Sequence, residues 1–171
     1  MLIIGGGTGW IVPHILESGA VEKLQYVEAS ARMLEMARKN CPVNLLNRVE
    51  FIHGDENAIP DIKYDVAITN FFLDCFKEDR LKEVMATLYR HLKPQGHLYF
   101  TDFHINQKSL HRIWQRSLTR LMLEFFKRAT NLESSQLLDF PSLFDHYDLK
   151  VISTRTYYAS FIQSMLLQKH D

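Results

Sequence analysis

The chain has 171 residues and a mass of 20.1 kDa, enough for one domain with its own core. An apolar fraction of 46% and a charged fraction of 23% exclude wholesale disorder and a fibrous class. Lys+Arg and Asp+Glu each number 20, so no global basic excess argues for nucleic acid.

The first hundred residues alternate short apolar runs with helical patterns. Strands are predicted at Leu2–Ile4, Leu24–Glu28, Val49–His53, Tyr64–Thr69 and Gly96–Phe103. Helices are predicted between them at Ile11–Ser18, Ala31–Asn40 and Asp79–Leu92. Ser30 is placed to cap the second helix, and Gly19 to end the first. Pro94 and Gly96 close the third and turn the chain into the next strand. Such alternation implies crossover connections and a parallel sheet with helices on both faces. Beyond Phe103 the pattern changes. Gln107 to about Thr130 reads as one long helix, with Trp114, Leu118, Leu121 and Phe125 on one face. Leu138–Phe144 reads as a loop or short helix around Pro141. Leu149–Tyr158 and Phe161–Lys169 read as two strands joined by Ala159-Ser160, a link that allows only an antiparallel pair. The expected fold is α/β and doubly wound. Its seven-stranded sheet is mostly parallel, with one antiparallel strand at the C-terminal end. One domain is expected over 1–171, divided into a core (1–106), a helical lid (107–146) and a terminal hairpin (147–171).

The most informative segment is Gly5-Gly6-Gly7-Thr8-Gly9, straight after a strand and straight before a helix. Glycines there let backbone N–H groups approach a ligand closely, and a helix start favours negative charge. Dinucleotides and S-adenosylmethionine both use such a loop. The dinucleotide fingerprint Gly-x-Gly-x-x-Gly fails in both registers: Trp10 or Val12 stands where the last glycine belongs. Glu28 ends the second strand about 20 residues on, where a carboxylate accepts ribose hydroxyls. Asp55 follows the third strand in His53-Gly54-Asp55-Glu56, placed to meet an adenine amino group.

With these residues the sequence resembles a class I S-adenosylmethionine-dependent methyltransferase. The resemblance rests on Gly5-Gly6-Gly7-Thr8-Gly9, Tyr26-Val27-Glu28, Gly54-Asp55, Tyr64 to Asn70, and Leu92-Lys93-Pro94-Gln95-Gly96-His97-Leu98, in that order. It covers Leu2 to about Phe103, and the terminal hairpin by topology. It implies S-adenosylmethionine as cofactor and methyl transfer to a small-molecule acceptor. It also implies Gly5, Gly6, Gly7 and Gly9 around the methionine part, Glu28 on the ribose, Asp55 and Glu56 facing the adenine, and Asn70 where cofactor and acceptor meet. Two features depart from the family. Ile3 stands where the family often has an acid, which is also the aminopropyltransferase pattern. The helices that usually precede the first strand are missing, so an N-terminal piece is expected to have been lost. A non-catalytic domain that binds a cofactor or a partner is the reading from another class.

Methyl transfer from a sulfonium asks mainly for alignment and a dry site. A hydroxyl or protonated amine acceptor adds the need for a base. Asp74, Asp102 and His104 follow the fourth and fifth strands, so Asp102 and His104 are the candidate catalytic residues. The aromatic run Phe71-Phe72-Leu73-Asp74-Cys75-Phe76 either lines a substrate pocket or packs the next helix. Lys108, Arg112, Arg116 and Arg120 form a basic stripe that either meets an anionic partner or stays solvated. The eight histidines are scattered without zinc spacing, and no metal is expected. Cys41 and Cys75 make no disulfide framework, which fits a reducing compartment. No apolar run reaches the ~18 residues of a membrane span, and no cationic leader opens the chain. A cytoplasmic location is expected.

Overall fold

Leu2, Ile3 and Ile4 form β1, a three-residue strand buried along its whole length. Three apolar residues suffice because β1 is central, with neighbours on both sides and helices above and below. In the computed structural model, which describes residues 1–103, 140–158 and 160–170, it is flanked by β2 (Leu24–Glu28) and β4 (Tyr64–Asn70). The remaining strands are β3 (Val49–His53), β5 (Leu92–Phe103), β6 (Leu149–Tyr157) and β7 (Ile162–Lys169). The sheet order is β3-β2-β1-β4-β5-β7-β6. β7 is antiparallel to both neighbours; the first five strands pair in parallel. The expected fold class, with seven strands and one reversed, is the observed one.

The chain winds outward from β1 to β3, then returns to β4 and winds the other way. The crossovers therefore part between β1 and β4, at the carboxyl ends of the strands, where open α/β sheets bind ligands. Alternation along β1 divides the core. Ile3 points to one face, into a cluster with Val12 and Leu16 of α1 (Ile11–Glu17) and Leu34 and Ala37 of α2 (Ala31–Asn40). Leu2 and Ile4 point to the other, with Leu81, Val84, Met85 and Leu88 of α3 (Glu78–His91). Phe140 and Phe144 of α4 (Phe140–His146) complete that layer. The family acid that Ile3 replaces would thus stand at a position 1% exposed among apolar side chains.

Local signals act as read. The Ser30 hydroxyl accepts the Met33 N–H at 3.3 Å and caps α2. Gly19 leaves α1 at φ 76°. Three 3-10 turns at Val43–Arg48, Glu56–Ala58 and Leu73–Cys75 fall where only connections were read. They are too short for apolar periodicity to show. β5 begins at Leu92 rather than Gly96, because Leu92 pairs with Tyr64 before a register shift carries the chain round Gln95 at φ 60°. The hairpin link is tight: Tyr158 and Ser160 both take positive φ. The predicted helix Gln107–Thr130 and its basic stripe lie outside the described residues. No helix among the described residues is long and apolar enough to cross a membrane.

Phe144 is fully buried, 5.1 Å from the Phe100 ring centroid on β5 and 6.0 Å from Phe140. It joins α4 to the middle of the sheet. Phe144→Ala is expected to cost about 3–5 kcal/mol, as the midpoint shift of a urea unfolding curve will measure.

Candidate functional site

The loop after β1 is held from three sides. Gly5 N–H donates to the Val27 carbonyl at 2.9 Å, continuing the β1–β2 ladder by one residue. The Tyr26 hydroxyl donates to the Gly7 carbonyl at 2.9 Å. Burial, with the Glu28 charge nearby, pushes the Tyr26 phenol well up, so it remains a donor. Asn40 at the end of α2 donates to the Thr8 carbonyl at 2.8 Å.

Two glycines matter for different reasons. A Cβ on Gly9 would lie 2.7 Å from the Ala37 Cβ, so Gly9 lets the loop press against α2. A Cβ on Gly7 would have no heavy atom within 4 Å, so Gly7 faces open space and is glycine for its φ of 61°. The loop is thus crowded behind and open in front.

Glu28 ends β2 and is 7% exposed. One carboxylate oxygen accepts the Gly7 N–H at 2.9 Å and the other accepts the Ser30 N–H at 2.9 Å. The sequence places a ligand acceptor here; the structure adds that it fastens the glycine loop. Each oxygen keeps a lone pair for a further donor, beside the open space at Gly7.

Asp55 and Glu56 differ sharply. Asp55 opens the 3-10 turn, accepting the Asn57 N–H at 2.9 Å, and its side chain stays half-exposed. Glu56 is 2% exposed and forms an ion pair with Arg80 of α3, which also reaches Asp55 at 3.8 Å and Glu83 at 2.8 Å. The pair ties the end of β3 to α3. Arg80 is a site residue that the sequence did not signal, since it lies 24 positions from Glu56.

On the other side of the switch point, Asn70 ends β4 half-buried, and Phe71 takes φ 51° as the chain turns, its N–H donating to the Thr101 carbonyl at 2.7 Å. Phe71 packs on Phe103 and Phe72 on Phe76. Asp102 on β5 is 1% exposed. Its oxygens accept the Asp74 N–H at 3.2 Å and the Phe103 N–H at 2.9 Å. Burial pushes the Asp74 and Asp102 carboxyls above the usual carboxylate range. The Cys75 thiol donates to Asp74 at 3.5 Å; burial and that negative neighbour push it up, so it is no thiolate. The Thr69 hydroxyl is fully buried without a hydrogen-bond partner among the described residues. His104, the other candidate base, lies outside them.

Asp55, Glu28, the glycine loop, Asn70 and Asp102 therefore share one edge of the sheet, in that order across it. Replacing Glu28 by the amide isostere would turn one acceptor into a donor facing a backbone N–H. Glu28→Gln is expected to lose about 1–3 kcal/mol in chemical denaturation, with no change of fold by circular dichroism.

Residues 1–96 match the family model of a methyltransferase domain. A malonyl-[acyl-carrier protein] O-methyltransferase of Halalkalibacterium halodurans is 37% identical over 108 residues, which cover 60% of this chain and 38% of that protein. The ubiquinone/menaquinone biosynthesis C-methyltransferase UbiE of Methylobacterium nodulans is 26% identical over 126 residues, 71% of this chain and 49% of that one. The chain spans less than half the length of these relatives. An O-methyltransferase family protein from Burkholderia thailandensis superposes with a TM-score of 0.80 at 19% identity, over 99% of this chain and 50% of that chain.

Proposed function

Because the chain belongs to the class I S-adenosylmethionine-dependent methyltransferase family, we propose that the carboxyl edge of its sheet binds S-adenosylmethionine and serves methyl transfer to a small-molecule acceptor. The observation that carries this reading is the Glu28 carboxylate. It is buried, fastened to the glycine loop, and bonded to Gly7, the glycine of that loop whose front is open.

The residues fit such a ligand. Gly5, Gly6, Gly7 and Gly9 form the cradle for its methionine part. Glu28 accepts the ribose hydroxyls with its remaining lone pairs. Asp55, the more exposed of the two acids, takes the adenine amino group, and Glu56 acts on that end through Arg80. Asn70 stands at the methionine end of the cleft, where the acceptor approaches. The cofactor supplies a methyl group already activated for in-line displacement. The chain's own work is alignment and exclusion of water, which contribute on the order of 7–11 kcal/mol in well-oriented reactions. The aromatic segment 71–76 provides the dry wall on the acceptor side. The names of the relatives span oxygen and carbon acceptors, which fits a shared half that serves the cofactor while other parts choose the acceptor.

Aminopropyl transfer from the decarboxylated cofactor is the second reading, favoured by Ile3 lying in the core where the family often has an acid. Thermal unfolding with S-adenosylhomocysteine, methylthioadenosine and NAD in parallel separates these readings. A ligand at about 100 times its Kd stabilises the fold by about 2.7 kcal/mol. Methyl transfer predicts a shift with S-adenosylhomocysteine, absent with NAD, and lost in Glu28→Ala when each variant is compared with its own unliganded Tm. A larger shift with methylthioadenosine would move the assignment to aminopropyl transfer. No shift with any of them would remove the cofactor site.

A further inference from the structure

We propose that Tyr26, assisted by Asn40, is a positioning residue of the glycine loop: the two side chains draw the Gly7 and Thr8 carbonyls inward, hold the Thr8 N–H outward, and so set the loop's preference for a ligand that carries a carboxylate. The proposal rests on the methyltransferase reading for the ligand, and on the geometry alone for how the loop is held.

Three consecutive peptide units make the turn of the loop. In the Gly6–Gly7 unit the carbonyl accepts the Gly9 N–H at 3.2 Å, and the N–H goes to Glu28 at 2.9 Å. In the Thr8–Gly9 unit the carbonyl accepts the Asn40 side-chain amide at 2.8 Å, and the N–H is the one that Gly6 accepts. The Gly7–Thr8 unit between them is held at one end only. Its carbonyl accepts the Tyr26 hydroxyl at 2.9 Å, and its N–H has no partner among the described residues. A trans peptide points its N–H opposite to its carbonyl, and none of the described peptides is cis. Tyr26 is fully buried, so the Thr8 N–H points out of the core, on a loop whose Gly7 faces open space.

The Tyr26 ring and its hydroxyl do separate things. The ring sits 5.6 Å from the Phe51 ring and lies under Gly6, where an added Cβ would stand 2.6 Å from its Cε2. Gly6 has no positive φ, so it is glycine to admit this ring. A phenylalanine would fill the same space; only the hydroxyl reaches Gly7. Glu28 secures the Gly7 N–H but not the peptide that follows. Between the two stands Gly7, at φ 61° with no Cβ, where the backbone turns at little cost. Without the hydroxyl, the Gly7–Thr8 unit is free to turn over while Glu28 keeps its hold. That turn presents a carbonyl oxygen where an N–H stood. An outward N–H attracts a carboxylate, and an outward carbonyl repels one. S-adenosylmethionine carries a carboxylate at its methionine end; the decarboxylated cofactor keeps the amino group and lacks it. A loop set in this way selects between the donors of the two readings above.

Titration calorimetry of the full chain with S-adenosylhomocysteine and with its decarboxylated form reads the loop. The proposal expects the wild type to prefer the ligand with the carboxylate. Tyr26→Phe, which leaves the ring in place under Gly6, is expected to narrow that preference about tenfold, as the loss of one hydrogen bond commonly does. Its affinity for the decarboxylated ligand stays close to that of the wild type. Asn40→Ala, at the exposed end of α2, is expected to narrow the preference in the same sense but less, and it carries the test should the buried substitution prevent folding. A loss of both affinities by one factor would make the two side chains structural supports only and overturn the proposal, as would an unchanged preference. In both cases wild-type binding of S-adenosylhomocysteine leaves the methyltransferase reading standing. A wild type that binds the decarboxylated ligand more tightly overturns the proposal and moves the assignment to aminopropyl transfer. A wild type that binds neither removes the cofactor site, and the proposal with it.

Discussion

The Glu28 carboxylate is the constraint from which the rest of the sheet's carboxyl edge follows. It sits at the end of β2, yet its two hydrogen bonds run to the loop after β1 and to the start of α2. One side chain thereby fixes three elements that the backbone ladder alone leaves independent. The loop cannot swing away from β2 without abandoning a charge-assisted bond, and such bonds are among the stronger ones in proteins. The Ser30 N–H that it accepts belongs to the same residue whose hydroxyl caps α2. The strand end, the glycine turn and the helix start are consequently one rigid corner. A charged group drawn into a nearly dry corner costs solvation, which explains why both oxygens are occupied by backbone donors.

Around that corner the two halves of the edge have opposite chemistry. On the β3 side a cation, Arg80, gathers three acids and is itself half-exposed. On the β5 side Asp102 accepts the Asp74 N–H, and the ring pairs Phe71–Phe103 and Phe72–Phe76 belong to the same segments. The first half suits the polar, hydrogen-bonding end of a nucleoside. The second suits a reaction from which water is kept out.

Much of this was legible in the sequence, and the reasons differ by element. The five parallel strands were readable because buried strands are near-continuous apolar runs, and Leu2-Ile3-Ile4, Tyr26-Val27 and Val66-Ala67-Ile68 stand out from polar surroundings. The antiparallel final pair followed from the shortness of its link. The glycine loop and Glu28 were readable because position relative to a strand end is a local property. The contact of Glu28 with Gly7 was not, since it depends on the loop folding back across 21 residues. The same limit hid Arg80 and the bond from the Asp74 N–H to Asp102, which lie 28 positions apart. Only the approach of β5 to the turn after β4 brings those two residues together. Glu56 shows the converse. Beside Asp55 in sequence it looks like its twin, but the 3-10 turn sends one acid outward and the other into an ion pair.

The contact between Gly9 and Ala37 carries a consequence for how this sequence can vary. The loop and α2 meet with less than a methyl group's clearance on either side. Ala37 is therefore confined nearly as tightly as a glycine, although it sits in the middle of a helix with ordinary backbone angles. A larger side chain there would lever α2 outward from its Ser30 end and draw Glu28 off the loop. Change at position 37 is thus tied to the loop it touches, and two residues with no polar atom in their side chains guard the geometry of a charged one.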